Sequence, residues 1–290
     1  MLRTIKYILN HPLTKQTPVR ALLGFFKWQF FSRIYKKPVV YNFTANSKLY
    51  VWNGLAGATG NIYSGLHEFE DMSFLLHFLR DGDLFVDVGA NIGSYTILAS
   101  AEIGAKTIAF EPVKSTYINL INNISLNQIS DKVEPLNIGV SNKKGSLKFT
   151  KSFDTGNHVA NPDESEFESI EVDSLDSILA NKNPSLLKID VEGFETEVLN
   201  GATDILQLES LKAIIIELNG SGNRYGYNDN DTHLKLLENG FKVMKYLPFE
   251  RKLTDALPSN EHNTLYVRDP KFVAERIRNG KLINIKNKVF

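Results

Sequence analysis

The stretch Phe85-Val86-Asp87-Val88-Gly89-Ala90-Asn91-Ile92-Gly93, followed by Ser94-Tyr95-Thr96-Ile97-Leu98-Ala99, leaves this chain few ways to fold. A short β-rich apolar run that ends in an acid, passes through a glycine turn and continues at helical spacing reads as strand, turn, helix. Glycines let the backbone approach a ligand closely, and the helix start offers unpaired N–H groups to a polar or anionic part of it. The turn therefore reads as a nucleotide-cofactor site. A dinucleotide fingerprint needs the spacing G-x-G-x-x-G. With its first glycine on Gly89, the other two places fall on Asn91 and Ser94, so that spacing fails. What remains is D-x-G-x-N-x-G and a second strand, Thr107-Ile108-Ala109-Phe110, that ends in Glu111-Pro112. Glu111 is placed to accept hydrogen bonds from ribose hydroxyls, which indicates a nucleoside more strongly than a pyrophosphate.

From there the chain alternates. Strand patterns fall at 84–88, 107–111, 133–140, 186–191, 212–218, 241–247 and 263–268, and helical patterns near 94–103, 113–127, 174–181, 195–207 and 231–239. Such alternation predicts an α/β fold with a doubly wound, mostly parallel sheet, which binds ligands beyond the carboxyl ends of its strands. No helix separates 241–247 from 263–268, so those two are expected to pair antiparallel. Upstream, 39–43 and 49–52 read as a β-hairpin, the glycine-rich 54–65 as a loop, and 71–80 as a helix. Residues 145–150 and 168–172 read as extra strands around a loop, 154–165, that could close over a substrate. With 290 residues, 42% of them hydrophobic, one large core is expected. The predicted organisation is a basic N-terminal arm at 1–67 and a main domain at 68–290.

The charge is zero overall but lopsided. Residues 1–67 hold nine Lys/Arg and no acid, which leaves 24 Lys/Arg against 33 acids, a net −9, in the rest. Within the arm, Val19 to Ile34 is rich in aromatics, bounded by Pro18 and by Lys36-Lys37-Pro38. Lys27 and Arg33 interrupt it, so it is too short for a bilayer span, and no small-residue cleavage site marks it as a signal peptide. Two readings stand: a helix packed on the domain with solvated lysines, or peripheral contact with an anionic membrane through residues 18–37. The absence of cysteine excludes disulfides, thiolate nucleophiles and cysteine-held metals. The expected location is cytoplasmic, with association at the inner membrane face as the companion reading. No recognition helix or RNA-binding motif accompanies the basic arm, so nucleic acid is not an expected partner.

The fourth core strand runs through Lys188-Ile189-Asp190 into Val191-Glu192-Gly193-Phe194-Glu195, which sets two carboxylates at a strand end above the cofactor turn. Asp190 and Glu192 there can accept a substrate proton, hold a cation or bind a metal, or merely cap the next helix. Glu217 and Asn219 end the fifth strand at the same rim. With Asp87 and Glu111, five acids then stand at strand ends, which favours a site. His67, His158 and His233 are weaker candidate bases, and His77 lies in a helix. No histidine pair has metal-ligand spacing, so no zinc site is expected.

The segments Val86 to Gly93, Phe110-Glu111-Pro112, Val172-Asp173-Ser174-Leu175-Asp176, Leu187 to Glu195 and Asn263-Thr264-Leu265-Tyr266-Val267 together resemble the FkbM family of S-adenosylmethionine-dependent methyltransferases, over roughly residues 68–268. The resemblance implies a Rossmann-like class I sheet of seven strands with a reversed last strand. It implies S-adenosyl-L-methionine as cofactor, with Gly89, Asn91 and Gly93 beside its methionine part, Asp87 in support and Glu111 on the ribose. It also implies a small-molecule or glycan acceptor, methylated on a hydroxyl, with no covalent enzyme intermediate; Asp190 or Glu192 is then the candidate catalytic base. Two other readings use the same sheet: an NAD-dependent oxidoreductase, and a non-catalytic nucleoside- or glycan-binding protein.

Overall fold

The computed structural model describes residues 1–34, 37–150, 158–160, 167–259 and 262–290. In chain order these form α1 (Leu2–Asn10), α2 (Pro18–Ile34), β1 (Val39–Asn42), β2 (Lys48–Val51), α3 (Ala56–Ser64), α4 (Phe69–Phe78), β3 (Leu84–Val88), α5 (Ser94–Ile97), β4 (Lys106–Phe110), α6 (Lys114–Leu126), β5 (Val133–Leu136) and β6 (Gly139–Val140). There follow β7 (Gly145–Thr150), β8 (Phe167–Asp173), α7 (Leu175–Ile178), β9 (Leu186–Ile189), α8 (Glu195–Asn200), β10 (Ala213–Glu217), α9 (Asp229–Glu238), β11 (Lys242–Leu247), β12 (Lys252–Asp255), β13 (Asn263–Val267), α10 (Pro270–Arg278), β14 (Asn284–Ile285) and β15 (Lys288–Val289).

The mainly apolar strands β3, β9 and β10, which carry Asp87 and Lys188 among their apolar residues, are buried on both faces, as strands in the middle of a parallel sheet must be. The sheet has the order β12-β11-β13-β10-β9-β3-β4-β5. β3, β4, β5, β9 and β10 run parallel, and β13 runs antiparallel to both β10 and β11. The expected seven strands with one reversed are all present, and β12, hairpinned onto β11, adds an eighth at the edge. From β3 the chain winds outward through β4 and β5, then returns to the other side of β3 as β9. The ligand crevice of such a sheet opens at that reversal.

Side-chain alternation divides the sheet into two faces. Phe85, Leu186, Ala213, Ile215, Leu265 and Val267 pack with α4, α6 and α10. Val86, Val88, Leu187, Ile189, Ile214 and Ile216 pack against α7, α8 and α9. Phe43, Leu49, Val51, Leu55 and Leu13, all from the first 67 residues, join the first of these cores. Ile8, Ala21, Phe25 and Tyr63 make a smaller cluster where α1 and α2 meet α3.

Several local expectations are corrected. The segment read as a glycine-rich loop contains α3, which ends at Gly65 in the left-handed region. Its glycines answer to contact: a Cβ on Gly60 would lie 2.3 Å from His67 Nδ1, and one on Gly65 would lie 2.7 Å from Ile285 Cγ2. Packing thus overrides helix propensity there. The strand expected at 133–140 splits into β5 and β6, which belong to different sheets. The helix expected at 195–207 stops after α8, because Gly201 passes so close to Ser141 that a Cβ would lie 2.2 Å from its carbonyl oxygen; a 3₁₀ turn, Ile205–Gln207, follows. The 174–181 helix shrinks to α7, and the 94–103 helix widens after α5 into a π-helical turn, Leu98–Ile103. The closing loop at 154–165 lies outside the described residues except for 158–160.

Phe290 closes the bottom of the α4 core: 4% exposed, it meets the rings of Phe69, His77 and Phe249 at 5.2–5.9 Å. Phe290→Ala should cost about 3–4 kcal/mol, read as a lower denaturation midpoint at unchanged m-value. A loss below about 1 kcal/mol would show that this aromatic cluster collapses onto the gap.

Candidate functional site

The turn after β3 is built by left-handed residues: Gly89 (φ 82), Asn91 (φ 53) and Gly93 (φ 92). The N–H groups of Gly89 and Ala90 donate to the Phe110 carbonyl at 3.1 and 2.9 Å, which ties the turn to the end of β4. Gly89 leaves no room for a side chain, since a Cβ there would lie 1.8 Å from the Asp190 carbonyl oxygen. Gly93 serves a different contact: its missing Cβ makes space for Leu120 on α6, at 2.5 Å.

Glu111 is 6% exposed, and its two carboxylate oxygens accept the N–H groups of Asn91 and Val113, each at 2.9 Å. Asn137 Nδ2 donates to the Glu111 and Pro112 carbonyls and fixes the loop beneath. Burial pushes the Glu111 carboxyl up to about 7 against these two hydrogen bonds. Asp87 is buried, and its Oδ2 accepts from Thr96 N–H at 3.1 Å and Thr96 Oγ1 at 2.7 Å. It thereby holds the start of α5 against β3. Burial raises its carboxyl, and the Lys188 ammonium opposes that rise.

The second half of the site follows from register. Asp87 pairs with Lys188 across β3 and β9, and Glu217 pairs with Asn263 across β10 and β13. Alternation brings all four to the α4 face of the sheet. The start of α4 lies over them: Asn263 Nδ2 donates to Glu68 Oε1 at 2.7 Å and to Asp71 Oδ2 at 3.2 Å. Lys188, 3% exposed, reaches Asp190 Oδ2 at 2.8 Å and lies 4.8 Å from the Tyr95 ring centroid. Burial works against the Lys188 ammonium, but Asp190, Glu68 and Asp87 outweigh it and hold its pKa above the ordinary lysine value. Burial would likewise raise Asp190, yet Lys188 keeps its carboxyl below the usual range. Glu217, desolvated and facing the charges of Asp190 and Glu192, is pushed up to about 8. Desolvation and Glu68 push Asp71 to about 8 as well.

Glu192 has φ 55, a left-handed value that costs a non-glycine residue about 1 kcal/mol or more. Burial, then Asp190, raises its carboxyl, with Arg224 and His158 opposing. Glu195, the first residue of α8, folds back on the loop before it: its Oε1 accepts the N–H groups of Val191 and Gly193, both at 3.1 Å. Burial pushes Glu195 up to about 7. Carboxylate oxygens of Asp190, Glu192 and Glu217 lie within 4.8 Å of one another. Such a trio has the donors for a hard cation, while the Lys188 ammonium already neutralises Asp190.

A cavity of about 340 Å³ joins the two halves, lined by Asp87, Gly89, Asn91 and Glu111 on one side and by Lys188, Asp190, Glu192 and Glu217 on the other. His67 also lines it, and His158 stands close enough to Glu192 to affect its ionisation. His233 lies on α9, bonded to the Tyr266 hydroxyl, and is not a lining residue. Lys188, Tyr95, Glu68 and Asp71 went unread in the sequence. The strand period places Lys188 on the same face as Asp190, and that signal was available.

A family model described as the methyltransferase FkbM domain matches residues 87–243, more than half of the chain. The hexuronic acid methyltransferase AglP of Haloferax volcanii is 33% identical over 147 residues, covering 50% of this chain and 59% of that protein's length. Methyltransferase sdnD of Sordaria araneosa is 28% identical, with 51% of this chain and 71% of that protein covered. Among solved structures, methyltransferase FkbM from Methylobacillus flagellatus aligns with 72% of this chain and 52% of its own, at 16% identity and a TM-score of 0.47.

The raised carboxyls make ligand-free stability depend on pH. Glu111 and Glu195 near 7, and Glu217 and Asp71 near 8, hold protons when folded that they release at about 4 when unfolded. Their contribution is complete in acid and is lost as pH rises through the folded values. His11 and His77, lowered by burial to about 4, pull the other way only below the ordinary histidine value. Denaturation should therefore show stability falling between about pH 6.5 and about pH 8, with Glu217→Gln flattening the fall. A rise over that interval would mean that these carboxyls ionise without cost.

Proposed function

The chain belongs to the FkbM methyltransferase domain family, and from that premise we propose that it is an S-adenosylmethionine-dependent methyltransferase acting on a hydroxyl of a sugar or glycan. The observation that carries the reading is Glu111, buried at the tip of β4 with both oxygens oriented by backbone N–H groups beside the glycine turn. A carboxylate so fixed keeps lone pairs free for two vicinal ribose hydroxyls. Gly89 and Asn91 open the adjoining wall of the cavity, while Asp87 and Gly93 hold that wall in place against α5 and α6. The residues thus fit the nucleoside and methionine parts of the cofactor. When bound, S-adenosylmethionine supplies an electrophilic methyl group, so the protein's task is to orient donor and acceptor.

The acceptor hydroxyl must lose its proton, and Asp190 and Glu192 are the proposed catalytic pair. Glu192 is the better proton acceptor because its carboxyl is raised, whereas Lys188 holds Asp190 ionised. Asp190 then orients the acceptor and keeps Lys188 in place. The Haloferax volcanii relative named for a hexuronic acid supports a sugar acceptor. We extend the proposal to peripheral membrane contact through residues 18–37, which would bring the cavity to a membrane-borne glycan. An NAD-dependent oxidoreductase is the competing reading, disfavoured by the spacing at Asn91 and Ser94.

Calorimetric titration with S-adenosylmethionine, S-adenosylhomocysteine and NAD separates the two. The first pair should bind and NAD should not; the reverse would sink the methyltransferase assignment. Glu111→Gln should weaken S-adenosylhomocysteine binding about tenfold or more. Glu192→Gln should lower kcat about a hundredfold and Asp190→Asn likewise, with cofactor affinity kept within about threefold. Turnover should rise with pH through a value above the ordinary glutamate range, because Glu192 must be ionised to take the proton. Equal losses of turnover and cofactor affinity would make these two carboxylates structural.

A further inference from the structure

Among the described residues, the second helix has two apolar faces, one buried and one exposed. Ala21 and Phe25 are buried against α1 and α3. Val19, Leu23, Phe26, Phe30 and Ile34 are exposed by 71%, 65%, 51%, 63% and 57%. Their spacing of four, three, four and four residues puts them in a single stripe along the far side of the helix. At 100° per residue, Arg20 and Lys27 fall on one edge of that stripe and Arg33 on the other. Beyond the Lys27 edge the apolar surface continues into a groove of about 580 Å³ whose walls include Trp28, Phe31, Val39, Tyr41 and Trp52. A contiguous apolar surface of this kind marks an interaction site.

We infer that this stripe is a docking face for an anionic membrane surface, into which α2 lies flat. Charge complementarity selects the occupant. The first 67 residues hold nine Lys/Arg and no acid, and three of these, Arg20, Lys27 and Arg33, border the stripe and stand at headgroup depth when its rings enter the acyl boundary. A protein partner would need no such uniform sign. No helix among the described residues is long and apolar enough to cross a membrane, so contact here is peripheral.

The face also stands next to the cavity. Ile62 of α3 lines the groove, while its neighbour Asn61 bonds the other way: Nδ2 donates to Ser94 Oγ at 3.2 Å and Oδ1 accepts from His67 N–H at 2.7 Å. Tyr41, in the groove wall, donates to the Asn61 carbonyl at 3.1 Å. One helix therefore separates the groove from the cavity residues Ser94 and His67. The inference names the surface for the contact proposed at residues 18–37 and does not depend on methyl transfer, so the two readings fail separately.

The test is sedimentation of the full chain with vesicles of phosphatidylcholine alone and with added phosphatidylglycerol. The chain should pellet with the anionic vesicles and stay in solution with the neutral ones, with salt weakening the association. Phe26→Ser/Phe30→Ser and Arg20→Glu/Lys27→Glu, all at exposed positions, should each lower the bound fraction about tenfold, with circular dichroism and cofactor titration unchanged. Retention of the parent chain in the supernatant with anionic vesicles would overturn the inference, as would undiminished binding by either folded variant. A concentration-dependent dimer that Phe26→Ser/Phe30→Ser abolishes would also overturn it, and would assign the stripe to a second copy of the chain.

Discussion

One buried ammonium makes the carboxyl-rich end of this sheet possible. Lys188, on the central strand β9, has Asp190, Glu68 and Asp87 around it, and their charges more than offset the penalty of taking it out of water. Without that cation, several carboxyl groups within a few ångströms would have to be protonated or move apart. With it, the Asp190 carboxyl is held below its usual range, while desolvation and neighbouring carboxylates push those of Glu217 and Asp71 up to about 8. The cavity thus holds carboxyl groups of opposite protonation preference side by side, the condition under which one accepts a proton while another only binds. All of this depends on strand alternation, which turns residues from β3, β9, β10 and β13 toward the same helix.

The parts legible in the sequence were those that local chemistry dictates. The β3 turn announces itself because an acid, two glycines and an asparagine leave the backbone few alternatives, and the alternation of strands and helices gives the sheet. What stayed hidden depends on distant contact. Helix α3 is glycine-rich by sequence, yet Gly60 and Gly65 are small because His67 and Ile285 press against them. The edge strand β12 has only the short run Lys252–Asp255, whose pairing partner is supplied by β11. In the site, Asp190 and Glu192 were visible as acids at a strand end. The part of Glu195 in tying down the loop from Val191 to Gly193 was not, because its neighbours Asp190 and Glu192 are equally acidic and only the geometry tells them apart.

The arm poses the complementary problem. Its aromatic helix packs one face in a small core, as the first reading of the sequence expects, and leaves the opposite face open. A helix apolar all round is normally enclosed. Here the protein encloses half of it, and the surplus of positive charge lies on the part left open. Core packing and the proposed surface contact thus fall on opposite sides of the same seventeen residues.

The turn and the end of β9 meet at Gly89 and the Asp190 carbonyl with no space for even a methyl group. Two backbone segments in such contact cannot shift independently, because interiors packed to this density transmit displacement rather than absorb it. A displacement of the turn beside Glu111 is therefore passed to the Asp190 backbone, and the reverse. Ligands seated on the two sides of that contact would then have linked affinities, because binding free energies are reciprocal.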